Sequence, residues 1–193
     1  MEGYWESRKD LSYYRVAIEY AKILSPQAAS VLDVGGGIQW GCRYLEWLPG
    51  LDRTSVELPS DRSDELPGVR LIKADFLEWS PPRTYDVVIC LQCIEHVKNA
   101  DAFAEKLLSV AKYLVVSVPF RWRRNAVEGH VHDPIDDEKM RQWFKRKPVL
   151  RSVVDQRLIL GYGDRPLKVK TVHQDASPQL LESLAIGGCS NQE

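Results

Sequence analysis

Apolar residues along this chain follow two rhythms, one near the 3.6-residue helical period and one nearly continuous over short runs, and the two alternate. Residues 11–24 place Leu11, Tyr14, Ala17, Ile18, Ala21 and Leu24 on one helical face, and Pro26 ends the pattern. A short apolar strand, Val31–Val34, runs into Gly35-Gly36-Gly37, and a helix is expected from about Gln39 to Trp47, stopped by Pro49-Gly50. Thr54–Leu58 and Val69–Lys73 read as strands, with a polar link too short for more than one or two helical turns. Tyr85–Leu91 is almost uniformly apolar, as expected of a strand covered on both faces. Then come a helix over Ala102–Ala111, a strand over Tyr113–Pro119, a polar loop from Phe120 to Pro134 and a helix from about Ile135 to Phe144. Asp136 and Asp137 in the first turn of that helix, and Lys145–Lys147 beyond its last, suit the helix dipole. Residues 149–155 and 157–162 supply two late strands.

Strands alternating with helices predict an α/β fold: a doubly wound, mostly parallel sheet with helices on both faces. Right-handed crossovers then align the strand ends along one rim, where ligands bind near the reversal of strand order. Residues 1–163 form one domain in this reading. Residues 164–193 form a loosely held extension, with a short helix over Gln179–Ile186 as its one candidate element.

The candidate chemistry lies on that rim. Glycines after the first strand permit positive φ and close ligand approach, and a following helix offers unpaired N–H groups. Glu57 stands 20 residues beyond Gly37 at the end of the next strand, where a carboxylate can accept from both hydroxyls of a ribose. Asp75-Phe76 follows the third strand, an acid for the amino group of adenine beside a ring for its face. Taken singly, each acid also reads as a solvated or capping residue. The dinucleotide pattern is absent: Gly35, Gly37 and Gly41 have spacings of two and four, and no Gly-Lys-Ser/Thr loop occurs.

Charge narrows the partners. With 26 Lys+Arg against 27 Asp+Glu, the net charge of -1 gives no global attraction to nucleic acid or anionic membranes. Nine basic residues between Arg141 and Lys170, and the cluster Arg121-Trp122-Arg123-Arg124, read either as solvated faces or as a local patch for an anionic substrate. Cys42, Cys90, Cys93 and Cys189 form no regular framework, so reduced cysteines are expected. Met1–Asp10 is polar, and no apolar run nears the roughly 20 residues that cross a bilayer. A cytoplasmic protein with no membrane partner is the expectation.

Histidines are the candidate proton-transfer or acceptor-binding groups. His96 lies just beyond the fourth strand, and His130 and His132 sit in the polar loop. Imidazoles two residues apart on extended backbone point opposite ways, so no metal site is expected from His130-x-His132-Asp133.

Val-Leu-Asp33-Val-Gly35-Gly36-Gly37 resembles the first motif of class I S-adenosylmethionine-dependent methyltransferases. The segment from Tyr85 to Val97, ending Ile94-Glu95-His96-Val97, is similar to their fourth-strand segment, which often ends Leu-Glu-His-Val. The likeness covers roughly residues 10–162 and is nearest the small enzymes with a methyltransferase type-11 domain. It implies a Rossmann-like methyltransferase fold, a seven-stranded sheet with a C-terminal antiparallel hairpin strand. It also implies S-adenosyl-L-methionine as cofactor. Gly35, Gly36 and Gly37 would approach the methionine part, and Asp33 would hold that loop near the amine. Glu57 would bind the ribose, Asp75 and Phe76 the adenine, and Leu91 and Gln92 the sulfonium side. The implied reaction is methyl transfer to an O or N atom of a small metabolite or sugar. A protein or carbohydrate polymer as acceptor, and a non-catalytic cofactor-binding module, are the alternatives. Nucleic acid is not the expected partner, because Leu91-Gln92-Cys93-Ile94 replaces the Asn/Asp-Pro-Pro-Tyr of base-modifying relatives. Short links after Glu57 and after Asp75 mark a trimmed version of the fold, whose site a second subunit in a homodimer could complete.

Overall fold

The structure, a computed structural model, describes residues 5–36, 41–59 and 66–163. Its elements are α1 (Ser12–Leu24), β1 (Ser30–Val34), a 3-10 helix (Gly41–Trp47), β2 (Asp52–Glu57), β3 (Arg70–Lys73) and β4 (Tyr85–Leu91). A short 3-10 helix (Ile94–His96), α2 (Ala100–Ser109), β5 (Ala111–Pro119), α3 (Asp137–Phe144), β6 (Leu150–Val154) and β7 (Arg157–Tyr162) complete them.

The seven strands form one sheet in the order β3-β2-β1-β4-β5-β7-β6. Pairs from β3 through β5 are parallel, while β7 runs antiparallel to both β5 and β6. The mostly parallel sheet and its antiparallel hairpin are therefore as the sequence predicts. Strand order reverses between β1 and β4, which leaves a crevice at their carboxyl ends.

Alternation along the central strands builds two cores. Leu32 and Val34 of β1, Val88 and Cys90 of β4 and Leu114, Val116 and Val118 of β5 pack with Phe103, Leu107, Met140 and Phe144 of α2 and α3. The intervening Val31, Val87, Ile89, Leu91 and Val115 pack with Ala17, Ile18 and Leu24 of α1 and with Tyr44 and Leu45. A period of two cannot serve one face only, so helices are needed on both.

Local chemistry moves several boundaries. Where the pattern predicts a helix over 39–47, the described part is a 3-10 helix from Gly41, hemmed between a glycine and Pro49-Gly50. α2 starts at Ala100, two residues before the expected position, because the Asn99 side chain caps it by accepting from the Ala102 N–H at 3.2 Å. α3 starts at Asp137, after Asp136 accepts from the Lys139 N–H at 3.0 Å. The β6–β7 turn places Asp155 over the start of α1, where its carboxylate accepts from the Tyr13 N–H at 3.2 Å. The expected Gln179–Ile186 helix and residues 164–193 lie outside the described residues.

Candidate active site

The crevice between β1 and β4 opens into a cavity of about 910 Å³. Its wall includes Asp33, Gly35, Gly36, Glu57, Asp75, Phe76, Leu91 and Gln92, so these sequence-predicted positions meet around one space. Gly37, also predicted, lies outside the described residues.

Asp33 closes the inner end. It is buried on the α1 face, and its carboxylate accepts hydrogen bonds from the Tyr44 hydroxyl, the Ser55 hydroxyl (2.6 Å) and the Gly36 backbone. One acid thus ties the glycine turn to β2 and to the 3-10 helix. Burial pushes its carboxyl up to about 6 against the lowering effect of those hydrogen bonds.

The turn itself admits only glycine. Gly35 has φ +75°, and its N–H donates to the Val56 carbonyl at 2.9 Å. A Cβ at Gly35 would crowd Cys93 Sγ, and one at Gly36 would crowd the Asp33 carboxylate and Cys42. The protein's own side chains therefore demand bare backbone here, a constraint separate from any ligand.

At the other end, Glu57 is buried at the tip of β2. Asp75 is exposed and accepts from the Leu77 N–H at 2.8 Å, turning the chain after β3. Phe76 is buried edge-on against Phe103, with ring centroids 5.2 Å apart. Both lie in the cavity wall while also doing ordinary structural work. Gln92, just past β4, holds φ +53°, a sparsely populated conformation for a residue with a side chain. Two bonds to Ser117 maintain it: Gln92 N–H donates to the carbonyl at 2.9 Å and Nε2 to the hydroxyl at 3.1 Å.

The three candidate histidines separate. His96 is exposed and lines the cavity, and burial of part of its ring lowers its pKa. His130 lies behind it, with ring centroids 4.7 Å apart, and its Nδ1–H donates to Asp133 at 2.7 Å. Trp122 stacks on the His130 ring at 5.9 Å. His132 turns away: its Nε2–H donates to the Val97 carbonyl at 2.8 Å and its ring packs edge-on against Trp143. Neither His130 nor His132 lies in the cavity wall. Between the strand end and this loop sits Glu95, fully buried, with its carboxyl pushed up to about 8 by burial.

Several residues of the wall escaped the sequence reading, among them Tyr14, Tyr44, Cys93 and Phe103. Tyr14 falls on the apolar stripe of α1 and looks like core. It is also core, linking buried Trp5 (centroids 5.4 Å) to Tyr44 (5.4 Å) and so to Asp33. The basic cluster resolves partly. Arg121, Arg123 and Arg124 are exposed, Arg151 forms a two-point pair with Asp137, and Arg157 lies over the Tyr13 and Trp122 rings. No helix among the described residues is long and apolar enough to cross a membrane.

Known proteins that this chain is similar to include methyltransferases. The chain is 30% identical over 139 residues to 2-methyl-6-phytyl-1,4-hydroquinone methyltransferase of Synechocystis sp., covering 68% of this chain and 41% of that one. The chain thus spans less than half the length of this relative. The N-methyltransferase NodS of Bradyrhizobium japonicum, solved with S-adenosyl-L-homocysteine, shares the fold with a TM-score of 0.60 at 12% identity, over 83% of this chain and 91% of that one. The N-terminal domain of EvdMO1 with S-adenosylhomocysteine bound gives a TM-score of 0.58 at 13% identity, over 79% and 81% of the two chains. A methyltransferase domain is matched across residues 4–154, and with it the chain is placed in the class I S-adenosylmethionine-dependent methyltransferase family.

Proposed function

We propose that this chain binds S-adenosyl-L-methionine in the β1–β4 cavity and transfers its methyl group to an O or N atom of a small metabolite or sugar. The observation that carries the reading is the meeting of Asp33, Gly35, Gly36, Glu57, Asp75, Phe76, Leu91 and Gln92 around one space. The amino-acid end of the cofactor is assigned to Asp33 and the glycine turn, the ribose to Glu57, the adenine to Asp75 and Phe76, and the sulfonium side to Leu91 and Gln92. A cavity of about 910 Å³ leaves room for a small acceptor beside the cofactor. The name of the Synechocystis relative, a hydroquinone methyltransferase, supports a small-molecule rather than a polymeric acceptor.

The cofactor brings an activated methyl group, so the protein's part is to align nucleophile, methyl and sulfur and to keep water out. His96 is assigned the acceptor end, as the one histidine among the described residues that lines the cavity. His130 supports it from behind, held by Asp133, and His132 anchors the loop that carries them both. Calorimetry with S-adenosylhomocysteine and, separately, with NAD tests the cofactor reading. Tight binding of the first and none of the second is expected; binding of NAD alone would overturn it.

A further inference from the structure

Glu95 is fully buried, and neither of its carboxylate oxygens accepts a hydrogen bond from another residue. Buried polar groups are almost always paired, and a bare carboxylate in a protein interior is costly. Asp133, also buried, repels Glu95 electrostatically, and its Oδ1 is likewise without a partner. Arg157 and Arg8 act on Glu95 with the opposite sign but do not hydrogen-bond to it.

Two imidazoles face the same spot. Glu95, His96 and His130 each bring a ligand atom within 4.8 Å of the others. The orientation of both rings is fixed from outside. His96 Nδ1 lies 3.1 Å from the Gly129 carbonyl, and a carbonyl has no proton to give, so Nδ1 must be the protonated nitrogen. His130 Nδ1–H is committed to Asp133 in the same way. With Nδ1 so engaged, each ring has Nε2 as its remaining nitrogen, in the carboxylate–histidine or carbonyl–histidine arrangement that orients metal ligands. The backbone locks the two halves together, since the Val131 N–H donates to the Glu95 carbonyl at 3.0 Å and joins the loop of His130 to the segment carrying Glu95 and His96.

We propose that Glu95, His96 and His130 hold a divalent transition-metal ion at the edge of the cavity, with Asp133 orienting His130. Two nitrogens and one carboxylate suit zinc, cobalt(II), iron(II) or manganese(II), and imidazole disfavours magnesium and calcium. Three protein ligands leave at least one coordination position for water or for an oxygen atom of a small molecule. His96 belongs to both the cluster and the cavity wall, so that position adjoins the space assigned to the acceptor. With the ion bound, His96 acts as its ligand, and an acceptor presenting an oxygen donor is the class this site would take.

The test uses the full-length protein, stripped with a chelator and titrated with cobalt(II) in the absence of any methyl donor, so its outcome is separate from the cofactor calorimetry. One equivalent of cobalt per chain is expected, with visible d–d absorption that zinc displaces. His96→Asn, at an exposed position, and Glu95→Gln, which keeps the shape of the buried acid, should each weaken binding by at least about tenfold with an unchanged circular dichroism spectrum. Asp133→Asn should weaken it less while the d–d bands persist. Absence of binding at millimolar cobalt would overturn the proposal. So would one-equivalent binding that is unchanged in both His96→Asn and Glu95→Gln, which would put the ion elsewhere.

Discussion

Gly35 and Cys93 face each other across the crevice between β1 and β4 so closely that a Cβ on Gly35 would lie under 3.0 Å from the cysteine sulfur. Gly35 also holds φ +75°. Gly35→Ala should therefore destabilise the fold by about 2–4 kcal/mol, part left-handed backbone strain and part overpacking. Adding Cys93→Ala should return about 1–2 kcal/mol of this by removing the sulfur, while the backbone strain stays. Urea unfolding of the four proteins in the cycle measures both terms; additive losses would show that the two residues do not press on each other.

The proposed cofactor site makes affinity depend on two acids. Glu57→Ala and Asp33→Asn should each weaken S-adenosylhomocysteine binding about 10–100-fold, the range for losing hydrogen bonds to a charged group. Titration calorimetry reads this directly. Dissociation constants unchanged in both variants would refute the placement of the ribose and the amino-acid end.

Asp33 sets a pH dependence. Burial holds its carboxyl at about 6 in the empty protein. The proposed placement sets the cofactor's ammonium beside it, which favours the carboxylate, so its pKa should fall in the complex and binding should release a proton below pH 6. Affinity should rise with pH and level off above about 6, and Asp33→Asn should flatten the curve. The empty protein should show the reverse trend in stability. Its raised acid binds more protons folded than unfolded between 3.8 and about 6, so stability falls as pH climbs through that window.

Asp86 works in the opposite sense. Its carboxylate accepts from Lys112 Nζ (2.7 Å), from the Ala29 and Ser30 N–H groups (2.9 and 3.1 Å) and from the Ser30 hydroxyl (3.0 Å). These hold its pKa down at about 2, Lys112 contributing most. The stability this confers is complete above the unfolded value of 3.8 and is lost as pH falls toward 2. Asp86→Ala should cost about 1–3 kcal/mol at pH 7 and little near pH 2, as read from denaturation midpoints at the two pH values.

Much of this architecture was legible before any coordinates. Continuous β-branched runs such as Val115-Val116 announce buried parallel strands, and the glycine turn with Glu57 and Asp75 points to one rim. Boundaries were less legible where a side chain competes with periodicity, as Asn99 does by capping α2 early. Tyr14 and Tyr44 were missed because an aromatic on an apolar stripe looks the same whether its edge meets core or cavity. Glu95 reads as an ordinary polar residue beside His96; only packing reveals that both its oxygens are shut away from water and donors. His130 and His132 diverge, and which ring turns toward His96 depends on where Asp133 and Trp143 stand.

Among the described residues β3 is the shortest strand of the sheet and its outermost on that side, hydrogen-bonded to β2 alone. Asp75 and Phe76 hang from its carboxyl end, so their part of the cavity wall is carried by the strand with the fewest tethers. An occupant of the cavity would then serve as a clasp, stitching this outer margin to the centre. Backbone amides of residues 70–73 should exchange with deuterium more slowly once S-adenosylhomocysteine is bound, while those of β4 and β5 keep their rates.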